Sequence, residues 1–250
     1  MLQDSVSYFK HTYQLPVKRN EIFNNKRDTH WGYYAKRLLD LALVIIALPL
    51  VLPLFLLIAL LIKLDSAGPI FFVQERAGAR RRMLYGRVFW ETKPFRIYKF
   101  RSMHHNADQS VHQAYIQAFV SGHGLPIDAE GKPQFKLARD ARITRIGHFL
   151  RKTSLDELPQ LLNILKGEMS FVGPRPVPVY EVALYKAEHH GRLQALPGLT
   201  GLWQAKARSA VTFEEMIQMD LDYVRRQSFW LDLWILVMTL PAVLWGWGAH

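Results

Sequence analysis

The stretch LALVIIALPLVLPLFLLIALLI, residues 41–62, contains 22 consecutive residues without a charge. As an α-helix it would be about 33 Å long, which is enough to cross the hydrocarbon core of a bilayer. It begins about 40 residues into the chain and no small-residue cleavage site follows it, so it is not a secretory signal peptide. A buried helix of a soluble core is the alternative, but few such helices are uniformly apolar over this length. The stretch therefore predicts a membrane segment.

The topology of this segment is left open by the residues around it. Pro49 and Pro53 lie near its middle, where each removes a backbone donor and clashes with the preceding turn. Basic residues flank the segment on both sides, and the positive-inside rule places basic flanks in the cytoplasm. A proline-broken hairpin that enters and leaves by the same face satisfies both flanks. A kinked helix that spans the membrane satisfies the length equally well.

Outside this segment the composition points to an anionic partner. The chain has 250 residues and a formal net charge of +11, with 32 basic and 21 acidic residues. Nine of the basic residues fall between Glu75 and Arg101. Nucleic acid, anionic lipid and phosphorylated small molecules are the classes that such a surface attracts. The absence of cysteine excludes thiol nucleophiles, cysteine-ligated zinc and iron–sulfur sites, and disulfide scaffolds.

The hydrophobic pattern of the remaining chain predicts an α/β fold that is mostly helical with short strands. A polar N-terminal arm covers residues 1–36, the membrane helix residues 37–63, and a cytoplasmic domain residues 64–250. Short strands are expected at Ile70–Gln74 and Phe95–Phe100, a long loop at residues 104–138, and helices from Ala141, over Glu157–Lys166 and from Thr212 to about Gln227. The Trp-rich tail, residues 229–247, is interrupted by Asp232, which suits a helix at the interface or packed on the domain.

Two adjacent carboxylates, Asp156 and Glu157, stand in the sequence TSLDELP, residues 153–159. Because proline is tolerated in the first turn of a helix, Pro159 predicts that Asp156 is the N-cap. The helix dipole and the preceding Arg151 would then favour an ionised Asp156. Such a carboxylate could attack phosphorus or bind magnesium, although an ordinary acidic N-cap fits the same spacing.

Two further motifs contain residues suited to phosphate binding. In FVGPRP, residues 171–176, two prolines fix the backbone on both sides of Arg175, which suits recognition of a phosphate or a carboxylate as well as an ordinary proline-rich turn. The motif PGLTGLWQ, residues 197–204, could line a nucleotide site. Asp220 and Asp222 resemble an Asp-x-Asp metal motif, but on a helix they point about 200° apart and cannot share one ion.

Taken together, these motifs resemble the bacterial sugar transferases, the monotopic phosphoglycosyl transferases that act on polyprenyl phosphate. The resemblance extends from about Lys36 to about Leu240 and follows the small form of the family, which lacks a large N-terminal membrane domain. It is based on six motifs in order: KRLLD at 36–40, GPIFF at 68–72, YKFRSM at 98–103, SLDELPQ at 154–160, FVGPRP at 171–176 and PGLTG at 197–201.

The resemblance implies a role for each matching residue. Asp156 would be the nucleophile that forms a phosphosugar ester, and Glu157 would assist it as a base or as a partner of Mg²⁺. The implied metal ligands are Asp156 and Glu157. The implied phosphate-binding cations are Arg151, Arg175, Lys99, Arg101 and Arg208. A break of the membrane helix near Pro53 is also implied, and with it the re-entrant form.

The implied reaction moves a phosphosugar from a UDP-sugar to undecaprenyl phosphate, releases UMP and begins exopolysaccharide, O-antigen or glycoconjugate assembly. The catalytic domain, with interface-associated helices, would lie on the cytoplasmic face of the bacterial inner membrane, in contact with its lipid. No nucleic-acid partner is expected, and a homo-oligomer is left open. The alternatives are a non-enzymatic, membrane-anchored module that binds anionic lipid or nucleic acid, and a glycosyltransferase that passes on a sugar without its phosphate.

Overall fold

The computed structural model describes residues 30–85, 87–108, 110–122, 140–206 and 211–245. Residues 1–29 of the predicted arm lie outside the described residues. The helices are α1 His30–Asp65, α2 Ser110–Ser121, α3 Arg145–Lys152, α4 Leu161–Lys166, α5 Val179–Val182, α6 Leu202–Lys206, α7 Phe213–Arg226 and α8 Phe229–Trp245. Two 3-10 helices cover Leu155–Gln160 and Ala187–Leu193, and the strands are β1 Phe71–Leu84, β2 Arg87–Phe100, β3 Ser170–Val172 and β4 Gly198–Thr200.

The prediction of a mostly helical fold is confirmed, but the first two strands are much longer than expected. β1 and β2 form a single antiparallel hairpin of 14 residues on each side, paired from Phe71 with Phe100 to Leu84 with Arg87. The predicted strands are only its base. Clustered arginines hide the alternation of apolar residues further out, because long basic side chains occupy both faces of an exposed ribbon.

The small parallel sheet brings two of the sequence motifs together. β3 pairs with β4 through Ser170 with Gly198 and Val172 with Thr200. A Cβ on Gly198 would lie 2.1 Å from the nitrogen of Gly173, and one on Gly173 would lie 2.2 Å from the oxygen of Leu196. Two backbones can approach this closely only at glycine. The glycines of both motifs are therefore required for backbone packing.

Several local predictions are confirmed. Gly167 ends α4 in the left-handed conformation with φ 77°, and Thr212 and Glu215 form the predicted capping box of α7. The predicted loop at residues 104–138 differs, because α2 occupies its first half. Residues 123–139 lie outside the described residues.

Helix α1 carries the apolar stretch and presents most of it to the surroundings. It is the one helix among the described residues that is long and apolar enough to cross a membrane, and only 11% of its most apolar window is buried. A core helix would be mostly buried, so the exposure of α1 favours a membrane segment over the soluble-core alternative. Helical structure continues through Pro49 and Pro53, so the predicted break does not interrupt the helix.

The amino-terminal end of α1 is bound to the globular domain by buried charges. Lys36 Nζ lies 2.6 Å from Asp232 Oδ2 of α8 and donates to the carbonyl oxygen of Val172 at 2.8 Å. Asp40 accepts hydrogen bonds from the hydroxyl of Ser170 and the amide of Phe171. The charge that interrupts the Trp-rich tail is therefore the partner of a buried lysine, and α8 packs on the domain.

The carboxyl-terminal end of α1 is bound to the same domain. Arg101, directly after β2, donates from Nη2 to the carbonyl oxygen of Ser66 at 2.6 Å and to its hydroxyl at 2.9 Å. Asp65 accepts a hydrogen bond from the amide of Ile146 in α3. Between the two ends, Val44 and Ile58 pack into the core beneath β2. Both ends of the membrane segment thus contact one domain.

We expect Lys36→Met to lower the free energy of unfolding by about 3–5 kcal/mol, because it leaves the Asp232 carboxylate buried without its cation. Denaturant unfolding in detergent micelles measures this. The double variant Lys36→Met/Asp232→Leu should recover most of the loss, since apolar groups can replace a buried pair. Arg225→Met, which removes a partner of the exposed Asp222, is the matched surface control. A Lys36→Met protein as stable as the wild type would show that the buried pair contributes nothing.

Candidate active site

The two candidate carboxylates lie in a 3-10 helix and not at the N-cap of an α-helix. The 3-10 helix begins at Leu155, and its N-cap is Ser154, whose φ is 57°. The N-cap prediction for Asp156 is therefore wrong: Ser154 adopts the left-handed conformation, and the helix begins two residues earlier than Pro159 suggests. A left-handed conformation at a residue other than glycine is uncommon and strained, and it frequently marks a functional segment.

Glu157 is the most strongly paired acid of the site. Its Oε1 accepts a hydrogen bond from Lys99 Nζ at 2.6 Å and another from Arg175 Nη2 at 3.0 Å. Burial alone would raise the pKa of Glu157, but the attraction of these two cations lowers it to about 2. The two cations therefore favour the ionised form of Glu157, and one of its oxygens joins β2 to the loop that follows β3.

Asp156 interacts more weakly with Lys99 than Glu157 does. Its Oδ2 lies 3.8 Å from Lys99 Nζ, which is too long for a hydrogen bond. Burial, together with the negative charge of Glu157, raises the pKa of Asp156, while Lys99 opposes the rise. This is opposite to the effect expected from a helix dipole, because Asp156 is buried and does not cap a helix. Its oxygen is less committed to a partner than that of Glu157.

Lys99 is placed beside the dyad by a side chain that sequence analysis missed. Asn163 in α4 accepts from the amide of Tyr98 at 3.2 Å and donates to the carbonyl oxygen of Arg96 at 2.7 Å. The Asn163 side chain thus forms the hydrogen bonds to β2 that a neighbouring strand would form. Because Lys99 directly follows Tyr98, this contact fixes the backbone next to Lys99. The signal available in the sequence was a single asparagine, Asn163, among the leucines of a predicted helix. In the structure its side chain is fully buried.

Arg151 extends into the site from α3, which packs closely against the backbone of Ser102. Its Nε donates to the hydroxyl of Ser102 at 2.8 Å, and it lies within electrostatic reach of Asp156. A Cβ on Gly147 would lie 2.0 Å from the oxygen of Ser102, so only glycine lets α3 pack here. The structure therefore brings Lys99, Arg151 and Arg175 around the dyad.

Other residues singled out from the sequence are placed elsewhere. The guanidinium of Arg101 is committed to the end of α1 and does not join this cluster. Arg208 lies outside the described residues. Asp220 and Asp222 diverge as predicted: the former is buried 2.6 Å from Arg192, and the latter pairs with Arg225 at the surface.

The donor groups at the dyad suit a magnesium ion that arrives with a phosphorylated ligand. The described residues contain no group of three acidic or histidine side chains that could hold a metal by themselves. Mg²⁺ often uses one or two carboxylates and completes its octahedron with water and substrate phosphate oxygens. Asp156 and the second oxygen of Glu157 meet that requirement, since Oε1 of Glu157 is taken by two cations.

The fold and the site define a membrane-associated domain with a buried carboxylate pair beneath a cluster of cations, an arrangement suited to phosphate chemistry. The chain matches the bacterial sugar transferase family over residues 31–246, and it belongs to that family.

Several named bacterial proteins share much of this sequence. The chain is 39% identical over 219 residues to the exopolysaccharide production protein ExoY of Sinorhizobium fredii, covering 88% of this chain and 89% of the relative. It is 37% identical over 227 residues to the UDP-galactose-lipid carrier transferase of Erwinia amylovora, covering 91% of this chain and 44% of that protein. It is 40% identical over 226 residues to the UDP-glucose:undecaprenyl-phosphate glucose-1-phosphate transferase of Xanthomonas campestris, covering 87% and 40%. The chain thus spans less than half of the length of the last two relatives.

Substitution of Arg175 by lysine tests the cation held between the two prolines. Lysine keeps the charge but loses the planar fork that contacts Glu157 and can also bind a phosphate. We expect kcat/KM to fall about tenfold or more, as roughly 1.5–3 kcal/mol is typical of a charged hydrogen bond. Lys152→Arg, on the exposed side of α3, is the matched control. Full activity in Arg175→Lys would reduce the loop to a structural element.

Proposed function

We propose that this protein transfers a phosphosugar from a UDP-sugar to undecaprenyl phosphate, with release of UMP. Family membership and the names of the relatives support a lipid carrier as acceptor. The observation that carries the proposal is the pairing of the dyad: Glu157 is neutralised by two cations, while Asp156 beside it remains weakly paired. The donor sugar is left open, because the relatives are named for galactose and for glucose.

In the first step, an Asp156 oxygen attacks the phosphorus that bears the sugar. A bond forms between that oxygen and phosphorus, and the bond from phosphorus to the bridging oxygen of the diphosphate breaks. UMP leaves with that oxygen. The enzyme then carries the phosphosugar as an acyl phosphate on Asp156, which is the covalent form of nucleophilic catalysis.

In the second step, a phosphate oxygen of undecaprenyl phosphate attacks the same phosphorus. The bond from phosphorus to Asp156 breaks, which restores the carboxylate and yields an undecaprenyl-diphosphate-linked sugar. The reaction is ping-pong, since UMP leaves before the acceptor reacts. Asp156 thus accepts the phosphosugar in the first step and releases it to the lipid phosphate in the second, so the protein supplies only one nucleophile.

The surrounding charges stabilise the negative charge that gathers on the transferred phosphoryl group. Lys99, Arg151 and Arg175 contribute positive charge from three different elements. Glu157 holds two of these cations in fixed positions, and preorganised charges need not be reordered during the reaction. Mg²⁺ bound by the diphosphate and the dyad would neutralise the leaving nucleotide.

The membrane segment enters and leaves by the cytoplasmic face of the inner membrane as one continuous helix that bends at its internal prolines, Pro49 and Pro53. A spanning helix would separate its ends by about 30 Å of hydrocarbon. Here Lys36 at one end and Ser66 at the other both bind the same domain, which supports a re-entrant arrangement. The exposed apolar side chains between those ends face lipid. The site would then meet a cytosolic donor and an acceptor phosphate at the same membrane surface.

Two other activities make different predictions about products. A glycosyltransferase that passes on only the sugar would release UDP, whereas phosphosugar transfer releases UMP. A binding module for anionic lipid would release neither and would tolerate loss of both carboxylates. A release assay with a panel of UDP-sugars and undecaprenyl phosphate separates the three.

Asp156→Asn is expected to abolish turnover while leaving folding and membrane association intact, because asparagine is nearly isosteric but cannot form the acyl phosphate. Glu157→Gln should be badly impaired but could still form a trace of the adduct. The measurement is mass spectrometry of wild-type protein quenched with donor in the absence of acceptor, where a phosphosugar adduct should appear on the Asp156 peptide. Near wild-type turnover by Asp156→Asn would refute the covalent mechanism.

For the topology, single cysteines introduced at Asp4 and at His250 should both resist an impermeant thiol reagent on intact cells. The chain has no cysteine of its own, so labelling reports only the introduced residue. Both should react after permeabilisation, which serves as the control. Labelling of the N-terminal cysteine alone on intact cells would mean that the segment spans the membrane.

A further inference from the structure

The loop that carries Arg175 is held from outside through its backbone carbonyl groups. Pro174 and Pro176 have no amide hydrogen, which limits hydrogen bonding within the loop. Four consecutive carbonyl oxygens, those of residues 174–177, each accept a hydrogen bond from another element. The donors are Gly198 N at 2.9 Å, Arg192 Nη2 at 3.3 Å, Arg76 Nη1 at 3.2 Å and Ala77 N at 2.8 Å, in that order.

Two of these four donors belong to guanidinium groups, and one of them is deeply buried. Arg192 has a relative exposure of 1% and lies in the second 3-10 helix. Its Nη2 lies 2.6 Å from Asp220 Oδ2 of α7, and its Nη1 donates to the hydroxyl of Tyr185 at 2.7 Å. Glu181 is a second carboxylate nearby, with Oε1 3.7 Å from Nη1.

A buried ion pair is not by itself a good stabilising device, because apolar residues of similar volume often serve as well. The pair of Arg192 and Asp220 differs from an ordinary buried ion pair, because Nη2 of Arg192 also donates to the carbonyl oxygen of Arg175. The same nitrogen therefore faces a fixed carboxylate on one side and the loop on the other. Displacing it would free the backbone of the residue whose guanidinium binds Glu157.

We propose that Arg192, held by Asp220, is a positioning residue that fixes the backbone of Arg175 so that its guanidinium meets Glu157 and the donor phosphate. This inference rests on the proposed function for its kinetic consequences. Arg192 acts through Arg175 and touches neither the dyad nor the substrate. Asp220, which resembles half of a metal motif in the sequence, thereby serves the site as the anchor of Arg192.

The kinetic test is a double-mutant cycle between Arg192→Lys and Arg175→Ala. Lysine at 192 keeps the positive charge, but its Nζ ends one bond short of the position of Nη2, so it cannot keep its contacts to both Asp220 and the Arg175 carbonyl oxygen. We expect Arg192→Lys to lower kcat/KM for UMP release about tenfold, and to lower it less than threefold further when Arg175 is already alanine. Losses that multiply would overturn the proposal, because coupled residues are non-additive. Full activity of Arg192→Lys would overturn it as well.

Asp220→Asn and Asp222→Asn provide a matched pair on the same helix. Asp220→Asn weakens the anchor of Arg192 with little change in size, so it should lose several-fold in activity and should also be non-additive with Arg175→Ala. Asp222→Asn removes an exposed carboxylate and should behave as the wild type. If Arg192→Lys does not fold, the cycle with Asp220→Asn decides the question. Equal activity of the two asparagine variants would refute the role of the anchor.

A second readout does not depend on turnover. The Nη–H resonances of Arg175 are followed by NMR in protein labelled with ¹⁵N-arginine, and they are assigned by their loss in Arg175→Ala. Because Nη2 of Arg175 donates to Glu157 Oε1, these hydrogens should exchange slowly with water in the wild type and fast in Glu157→Ala. They should exchange fast in Arg192→Lys as well.

The two readouts separate failure of the inference from failure of the proposed function. If no UDP-sugar yields UMP with the wild type, the proposed function fails and the exchange of the Arg175 Nη hydrogens alone tests Arg192. Slow exchange retained in Arg192→Lys would overturn the positioning role. Fast exchange in the wild type would overturn it too, because Arg175 would then not be held on Glu157.

Discussion

One carboxylate oxygen, Oε1 of Glu157, is the point on which the site depends. It accepts hydrogen bonds from Lys99 and from Arg175, so a strand, a 3-10 helix and a proline-bounded loop meet at a single atom. Three separate supports keep this meeting in place. Asn163 holds β2, the left-handed Ser154 turns the chain into the dyad, and the carbonyl contacts of residues 174–177 hold the loop.

This arrangement explains why two adjacent acids can have different roles. Glu157 orients Lys99 and Arg175 through hydrogen bonds to one of its oxygens. The remaining donor groups of these two cations could still contact a phosphate ligand. Asp156 shares the cluster without a short hydrogen bond to Lys99, so its oxygen is held less strongly, as the proposed attack on phosphorus requires. Both residues lie in the same turn of the same 3-10 helix. The difference between them therefore comes from their distances to the surrounding cations.

The apolar helix α1 is connected to the candidate active site through the same small set of elements. Lys36 binds the carbonyl oxygen of Val172, and the next residue begins the loop that carries Arg175. At the other end Arg101, two residues after Lys99, binds Ser66. Neighbouring residues therefore hold both the apolar helix and the cations of the candidate site, as the proposed reaction at a membrane surface requires.

The sequence alone determined the membrane segment, the mostly helical fold, the family and the carboxylate pair, because these depend on local composition and on motifs that are contiguous in the chain. Helix ends with a short-range signal, such as Gly167 and the Thr212 capping box, were predictable for the same reason. The full length of the hairpin was not, because strand pairing joins residues whose side chains show no alternation. Nor were the partners of Lys36 and Asp220, which are Asp232 and Arg192: buried charges find their partners across the fold, and the cost of leaving a charge unpaired in the interior, which no local pattern records, decides which residues must meet.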